Sequence, residues 1–310
     1  MTPNQIILKA GTSECTVCPA PGGSIAGWSV DGQAMLRSAS AEAIETGHVL
    51  GLSSFPLVPY SNRIAHGKFE WAGQIVHITP NFAPEPHAIH GTGWEDAWQG
   101  EQISACQMRM HVTHSGGASW PWPFHAEQIV TVCEDGLSLA LSATNLADEP
   151  VPLAFGHHPY FDSVGASMAF AAERVWMIGN DGLPSHPIAP DGQFDFSAGG
   201  PVEGRNIDHC YAGVSGPVQI SWAGRPLRLE ISSNLPAAVV YVPKGGDSFC
   251  FEPVPHINNA LNLPGHAPAM PIVAPGERFE AEIDFKVVSL NPGRPTSPAA
   301  ELLPYPAAPA

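Results

Sequence analysis

Short runs in which apolar and polar residues alternate, broken by glycine or proline, recur along the whole chain. Phe69–Ile78 predicts a hairpin that turns at Ala72-Gly73, because successive side chains of a strand point to opposite faces. Ala126–Val132 and Leu137–Thr144, joined across Glu134-Asp135-Gly136, predict a second hairpin. This period of two limits the fold more than any other feature, since an amphipathic helix requires a period of about 3.6.

Six further runs have the character of strands: Met108–His114, Gln219–Trp222, Leu227–Ile231, Val239–Val242, Phe249–Glu252 and Phe279–Val288. Charged residues make up 14% of the chain, compared with about 25% in typical globular proteins. The 31 glycines and 33 prolines are spread along the sequence, and both residues disfavour long helices. We therefore predict an all-β fold, a large antiparallel β-sandwich without helices between its strands.

No linker rich in proline or serine interrupts the chain before residue 290, so we expect a single β-sandwich domain over residues 1–290. Residues 291–310 contain six prolines and predict a disordered or loosely draped tail. The N-terminus lacks a basic region followed by an apolar run, and no apolar stretch is long enough to span a bilayer. We expect a cytoplasmic protein, either a monomer or a homodimer.

The net charge of -16 limits the partners of the protein. An acidic surface repels nucleic acid phosphates and anionic lipids, so we expect no nucleic acid and no membrane partner. The same charge argues, more weakly, against a highly phosphorylated substrate and favours a neutral small molecule. Cys15 and Cys18 have CxxC spacing, but no second pair lies at zinc-ribbon distance, so we predict buried free thiols.

Two adjacent histidines, His157 and His158, lie between the apolar run Val151–Phe155 and the pair Tyr160-Phe161. Pro159 favours an extended backbone at His158, which suits a titratable ring held rigidly beside aromatic faces. Such a histidine is a candidate for proton transfer, although histidines near apolar residues are often purely structural.

Glu252 ends an apolar run and is followed by Pro253. Desolvation there raises the pKa of a carboxyl group, which makes Glu252 the best candidate for a general base. Asp208 either caps a turn or contacts a ligand, and Arg63 is either a surface charge or a hydroxyl-binding group. The residue types alone leave both pairs of alternatives open.

His87, His90 and Glu95 could form a metal site with the later histidines. The spacing of three between His87 and His90 argues against this, since strands place residues two apart on one face. Trp94 is a candidate flat surface for a sugar ring, with core packing as the alternative. We predict no metal and no cofactor.

Five motifs, in this order, resemble the aldose 1-epimerase (galactose mutarotase-like) family: Asn62-Arg63-Ile64, His90-Gly91, His158-Pro159-Tyr160-Phe161, Asp208 and Glu252-Pro253. The resemblance spans roughly residues 5–289. It implies a β-sandwich of the galactose mutarotase-like supersandwich type. It also implies an isomerase that interconverts the anomers of a monosaccharide without a cofactor.

The resemblance further implies the role of each residue. Glu252 takes the proton of the anomeric hydroxyl group and His158 protonates the ring oxygen, so that the ring opens and closes on its other face. His90 stabilises the open form, while Arg63 and Asp208 hold sugar hydroxyl groups. Asn62 and Trp94 complete the expected substrate-binding set, and His157 has a supporting role.

The sequence also departs from the family pattern. His157-His158-Pro159 stands where many galactose-type members have Asn-His-Ser/Thr, and Gly91-Thr92-Gly93-Trp94 replaces the common double glycine. These differences put a preference for galactose in doubt and leave the acid–base pair intact. Two alternatives remain, namely a carbohydrate-binding or regulatory sandwich without catalysis and a metal-dependent enzyme on a similar fold.

Overall fold

The computed structural model describes residues 5–290. The strands are, in chain order, β1 (Ile6–Ala10), β2 (Ser13–Cys18), β3 (Ser24–Val30), β4 (Gln33–Ala34), β5 (Pro56–Leu57), β6 (Arg63–Ile64), β7 (Lys68–Trp71), β8 (Gln74–His77), β9 (Ala88–Ile89), β10 (Gln99–Gln102), β11 (Gln107–His114), β12 (Phe124–Cys133), β13 (Gly136–Asn145), β14 (Val151–Pro152), β15 (Gly156–His157), β16 (Tyr160–Asp162), β17 (Ala166–Ala171), β18 (Arg174–Ile178), β19 (Pro184–Ile188), β20 (Gly200–Pro201), β21 (Ile207–Ala212), β22 (Ser215–Trp222), β23 (Leu227–Ser233), β24 (Ala237–Val242), β25 (Ser248–Val254), β26 (Ile272–Val273) and β27 (Arg278–Ser289). The predicted tail at 291–310 and the first four residues lie outside the described residues.

The largest sheet has nine antiparallel strands in the order β10-β11-β12-β13-β27-β23-β22-β17-β20. Near its centre, Leu139 of β13 lies between Val130 of β12 and Ile283 of β27. These three side chains are fully buried, whereas the neighbouring Ser138 is partly exposed. The alternation that predicted these strands therefore separates the core face of the sheet from its outer face.

A second sheet has six antiparallel strands in the order β16-β25-β24-β21-β18-β19. Phe170 of the nine-stranded sheet packs against Phe251 and Tyr211 of this sheet, with ring centroids 5.3 Å and 5.0 Å apart. A third sheet, β1-β2-β3-β4, joins the core through Trp28, whose ring lies 6.1 Å from that of Phe285. The predicted antiparallel β-sandwich is confirmed.

Both predicted hairpins are present. In the β7–β8 hairpin, Phe69 pairs with Val76, and the turn residues Ala72 and Gly73 have φ angles of 49° and 76°. Two consecutive left-handed residues are the mark of a two-residue turn whose twist matches the strands. In the β12–β13 hairpin, Val130 pairs with Leu139 as the alternation requires.

One short helix departs from the prediction of a chain without helices. Helix α1 spans Ala41–Thr46, and four single turns of 3-10 helix lie at Val49–Gly51, Ala65–Gly67, Gly192–Phe194 and Ala260–Asn262. The Ser40 hydroxyl group accepts a hydrogen bond from the Ala43 N–H at 3.1 Å, and Gly47 ends the helix with a φ of 68°. Capping at both ends defines this helix, which is too short to show a hydrophobic period.

The cysteines follow the prediction of buried free thiols. All six are unpaired, and Cys15 and Cys18 of β2 are buried. Burial raises the pKa of the Cys18 thiol to about 11, so this group is uncharged at neutral pH. Within residues 5–290, no helix combines the length and the apolar character that crossing a bilayer requires.

The central position of Leu139 leads to a stability prediction. We expect Leu139→Ala to lower the free energy of unfolding by about 2–5 kcal/mol, because it removes buried methyl groups and leaves a cavity. The adjacent Ser138→Ala, on the outer face, is the control and should change it by no more than about 0.5 kcal/mol. Urea denaturation followed by tryptophan fluorescence measures both. Similar values for the two variants would contradict the assignment of faces.

Candidate active site

The site begins with strand β25, which is buried on both faces. Phe249 and Phe251 point into the core of the sandwich, where their rings contact Phe161 and Phe170. Because side chains alternate along a strand, Cys250 and Glu252 point to the opposite face of the six-stranded sheet. The loops that contain β5, β6, β9 and β15 supply the other site residues on this side.

One row of paired residues crosses this face. Asp208 of β21 lies opposite Tyr241 of β24, Tyr241 lies opposite Cys250 of β25, and Cys250 lies opposite Tyr160 of β16. Asp208 therefore lies inside a strand, and the alternative that it caps a turn is wrong. In this row Tyr241 lies between Asp208 and Cys250, and 36% of its surface is exposed.

His158 and Glu252 form a buried pair. The Nε2 atom of His158 lies 3.3 Å from Oε1 of Glu252, and the two residues are 6% and 2% exposed. The imidazole ring stacks against both Phe55 and Tyr160, with ring centroids 4.6 Å and 4.7 Å away. The backbone N–H of His158 also donates a hydrogen bond to the Phe55 carbonyl group at 2.9 Å. Backbone and ring contacts together fix the histidine against the carboxyl group.

Two polar atoms of this pair lack a hydrogen-bond partner in the protein, namely Nδ1 of His158 and Oε2 of Glu252. Buried polar atoms are nearly always hydrogen-bonded, so unpaired atoms of this kind often mark functional sites. The carboxyl group thus presents a free oxygen on the side of the sheet that carries Asp208 and Tyr241.

Burial disfavours charge on both members of the pair. It lowers the pKa of His158 well below its ordinary value, and the nearby His90 lowers it further. Burial also raises the pKa of Glu252 well above its ordinary value; Asp208 adds to this rise and Arg63 opposes it. Both groups therefore favour their uncharged forms, imidazole and carboxylic acid. Relative to imidazole and carboxylate, the pair carries one titratable proton over a wide range of pH.

His90 lies beside this pair, with its ring centroid 5.3 Å from that of His158. Its Nδ1 atom accepts a hydrogen bond from the Asn62 N–H at 3.2 Å. Burial, with a further contribution from Arg63, lowers the pKa of His90 to about 3, so the ring is neutral. The proton of the neutral ring is therefore on Nε2, which makes His90 a hydrogen-bond donor.

Arg63 lies between two carboxylate groups. Its guanidinium group is 3.4 Å from Asp208 and 3.4 Å from Glu85. Asn62 orients the arginine. Its side-chain oxygen accepts a hydrogen bond from the backbone N–H of Arg63 at 2.8 Å and lies 3.5 Å from the Arg63 Nη1 atom. The Nε atom of Arg63 is buried and is the atom that lies 3.4 Å from Oε2 of Glu85. Arg63 is therefore charge-paired with both carboxylate groups.

Two other predicted residues have mainly structural surroundings. Trp94 is only 7% exposed and packs edge-on against His90 at 6.5 Å and tilted against Phe55 at 5.9 Å. It supports the wall behind His90 and offers little surface to a sugar ring. His157 points into the core, where its side chain contacts Ser54 and Gln128.

The residues of the metal alternative are engaged elsewhere. Nδ1 of His87 accepts from the His66 N–H at 3.0 Å, and Nε2 lies 2.8 Å from the Asp181 carbonyl group. Glu95 accepts a hydrogen bond from Asn81 at 3.0 Å. A metal ion at His87 would therefore displace two backbone contacts of that ring.

Sequence reasoning missed Tyr241 and Glu85. Tyr241 lies in an apolar strand and resembles a core aromatic residue, although its place directly before a valine and Pro243 marks the exposed end of that strand. Glu85 lies in a loop between Pro84 and Pro86 and resembles a surface charge. Neither sequence context indicates a contact with Arg63 or Asp208.

Comparison with known proteins agrees with this geometry. The sequence model of the aldose 1-epimerase family matches residues 4–286. The chain belongs to the aldose 1-epimerase family. It is 27% identical over 284 residues to the uncharacterized protein YphB of Escherichia coli K12, covering 86% of this chain and 93% of YphB.

Solved structures show the same fold. An aldose 1-epimerase candidate from Escherichia coli K12 superposes with a TM-score of 0.85 at 25% identity, covering 92% of this chain and 99% of that one. The galactose 1-epimerase of Lactobacillus acidophilus superposes with a TM-score of 0.76 at 18% identity, covering 92% and 94%. The galactose mutarotase-like fold implied by the sequence is confirmed.

The loop that carries His90 leads to a second prediction. Gly91 has a φ of 71°, and a Cβ atom at this position would overlap the Val58 carbonyl group; Gly73 has a φ of 76° with open space around it. We expect Gly73→Ala to cost about 1–2 kcal/mol of stability from left-handed strain alone. Gly91→Ala should cost about 1–3 kcal/mol more, because the backbone must also move. Urea denaturation compares the two variants, and equal costs would refute the close contact.

Proposed function

We propose that the protein is a mutarotase that interconverts the α and β anomers of a free aldose. The observation that carries this proposal is the buried pair of His158 and Glu252, whose facing atoms lie 3.3 Å apart. Mutarotation moves one proton from the anomeric hydroxyl group and delivers another to the ring oxygen, and both oxygens are bonded to the same carbon. A closely spaced acid and base that share one proton match this requirement.

The proposed cycle alternates between two states of the pair, each with one proton. In the first state Glu252 is a carboxylate and His158 an imidazolium. Glu252 takes the proton of the anomeric hydroxyl group while His158 gives its proton to the ring oxygen, and the bond between the anomeric carbon and that oxygen breaks. The pair is then uncharged, which is the state that burial favours. After the aldehyde rotates, the reverse transfers close the ring and restore the first state.

The other residues bind and orient the sugar in this proposal. His90 donates from Nε2 to an oxygen near the reacting carbon, since its Nδ1 atom is occupied by the Asn62 N–H. Arg63 and Asp208 hold hydroxyl groups at the other end of the ring, with Asn62 and Glu85 orienting Arg63. Tyr241 lies between these two groups of residues and provides an exposed aromatic face for the ring of the sugar.

The charges favour a neutral monosaccharide as the substrate. Arg63 lies 3.4 Å from each of two carboxylate groups, those of Asp208 and Glu85. A phosphate group would therefore meet an arginine whose charge is already balanced, together with two nearby negative charges. Phosphate sites normally present uncompensated arginine or lysine side chains.

Polarimetry tests the proposal. Freshly dissolved α-anomers of glucose, galactose, xylose and arabinose should mutarotate faster with the protein than without it, and the four rates rank the substrates. No acceleration together with measurable sugar binding by calorimetry would instead support the alternative of a non-catalytic carbohydrate-binding protein.

We expect Glu252→Gln to lower the rate of mutarotation by about 10²–10⁴-fold, because the amide cannot accept the anomeric proton. Glu70→Gln, in the exposed β7–β8 hairpin, is the matched control and should leave the rate unchanged. Polarimetry gives the rates and circular dichroism verifies the fold of both variants. A nearly normal rate for Glu252→Gln would show that the base is a different group.

The pair also predicts a bell-shaped dependence of kcat/KM on pH. As pH falls through the lowered pKa of His158, both groups become protonated and no base remains. As pH rises through the raised pKa of Glu252, the pair loses its proton and no acid remains. The active range should therefore extend below the ordinary histidine pKa of about 6.5 and above the ordinary glutamate pKa of about 4.3. A loss of activity centred on the ordinary histidine pKa as the solution is acidified would contradict this prediction.

A further inference from the structure

Cys250 lies in the floor of the site, and the proposed reaction does not use it. It is fully buried on the same face of β25 as Glu252 and lies opposite Tyr160 of β16. One ligand atom each of Cys250, His158 and Glu252 lie within 4.8 Å of one another. A sulfur, a nitrogen and an oxygen therefore converge on one small volume.

This set of donors suits a zinc ion. Zn²⁺ is bound by cysteine sulfur, histidine nitrogen and carboxylate oxygen, commonly by three protein ligands with water or another small molecule in the fourth position. Oε2 of Glu252 is buried and has no hydrogen-bond partner in the protein. Hydrogen bonds within the protein therefore leave this carboxyl oxygen available to a cation.

The charges balance in such a complex. A thiolate from Cys250 and a carboxylate from Glu252 cancel the two positive charges of Zn²⁺, and a neutral imidazole adds none. Burying this neutral group costs far less than burying any one of the ions alone.

We propose that Cys250, His158 and Glu252 form an inhibitory zinc site in which the metal ion displaces the proton shared by the catalytic pair. The S–H bond of Cys250 and the bond to the shared proton break, both protons leave to solvent, and bonds from zinc to sulfur, oxygen and nitrogen form. No oxidation or reduction occurs. Because the metal occupies the lone pairs that accept protons from the sugar, mutarotation stops while the ion is bound.

Binding of the metal is tested independently of activity, with Co²⁺ as a spectroscopic probe for the zinc site. We expect the metal-free protein to bind one Co²⁺ per chain with an intense sulfur-to-cobalt absorption band in the near ultraviolet. Cys250→Ser should abolish that band, and Cys250→Ala serves as a second variant if the serine protein does not fold. Cys106→Ser removes a partly exposed thiol near β11 and is the matched control that should keep the band.

Inhibition is tested by polarimetry in buffers of fixed free Zn²⁺, and this part rests on the proposed mutarotase activity. Wild-type activity should fall as zinc rises and return when a chelator is added. Each variant is compared with its own zinc-free rate. The free zinc concentration that gives half inhibition should be at least about tenfold higher for Cys250→Ser, since changes to metal-site residues weaken binding by about this factor or more.

The two experiments fail in distinguishable ways. Absence of the sulfur-to-cobalt band, or its persistence in Cys250→Ser, would refute the metal site whether or not the protein is a mutarotase. A normal band in a protein that accelerates no sugar would support the metal site and refute the proposed function. Mutarotation that continues undiminished with the metal bound would refute the inhibitory role.

Discussion

The site depends on the alternation of side chains along β25, a strand that is buried on both faces. Phe249 and Phe251 on one face join the aromatic core between the two large sheets, and Cys250 and Glu252 on the other face form the floor of the site. A shift of one residue in the pairing of this strand would place a carboxyl group in the core and phenyl rings in the site. The well-packed core therefore holds the position of Glu252.

The same burial determines the chemistry. Glu252 and His158 have lost most of their contact with water, so each favours its uncharged form and the two share a proton. Phe55 and Tyr160 both stack against the imidazole ring and restrict its orientation. An unpaired carboxyl oxygen in such a place lowers the stability of the fold, and functional sites commonly carry costs of this kind. The proposed mutarotase reaction and the proposed zinc site both use the unpaired lone pairs of this carboxyl group.

Much of the site could be predicted because its residues stand out locally. His158 and Glu252 each interrupt an apolar run beside a proline, and their motifs occur in family order with Arg63, His90 and Asp208. The structure brings these five residues to one face of the six-stranded sheet or to the loops beside it. Tyr241, Cys250 and Glu85 were missed, because the first two resemble core residues of apolar strands and the third resembles a loop charge. Their part in the site follows only from strand pairing and from contact with Arg63.

The sequence by itself determined the long strands of the largest sheet near its centre, two hairpins and the class of fold, since period-two alternation and turn residues act between near neighbours. It also singled out His158 and Glu252, the proposed acid and base, because a titratable group next to buried apolar residues is unusual in any context. Only the tertiary structure decided which strands lie side by side, and therefore that Asp208, Tyr241 and Cys250 form one row. Strand order and the degree of burial arise from contacts between distant parts of the chain. Those contacts also set the proton affinities on which the proposed reaction depends.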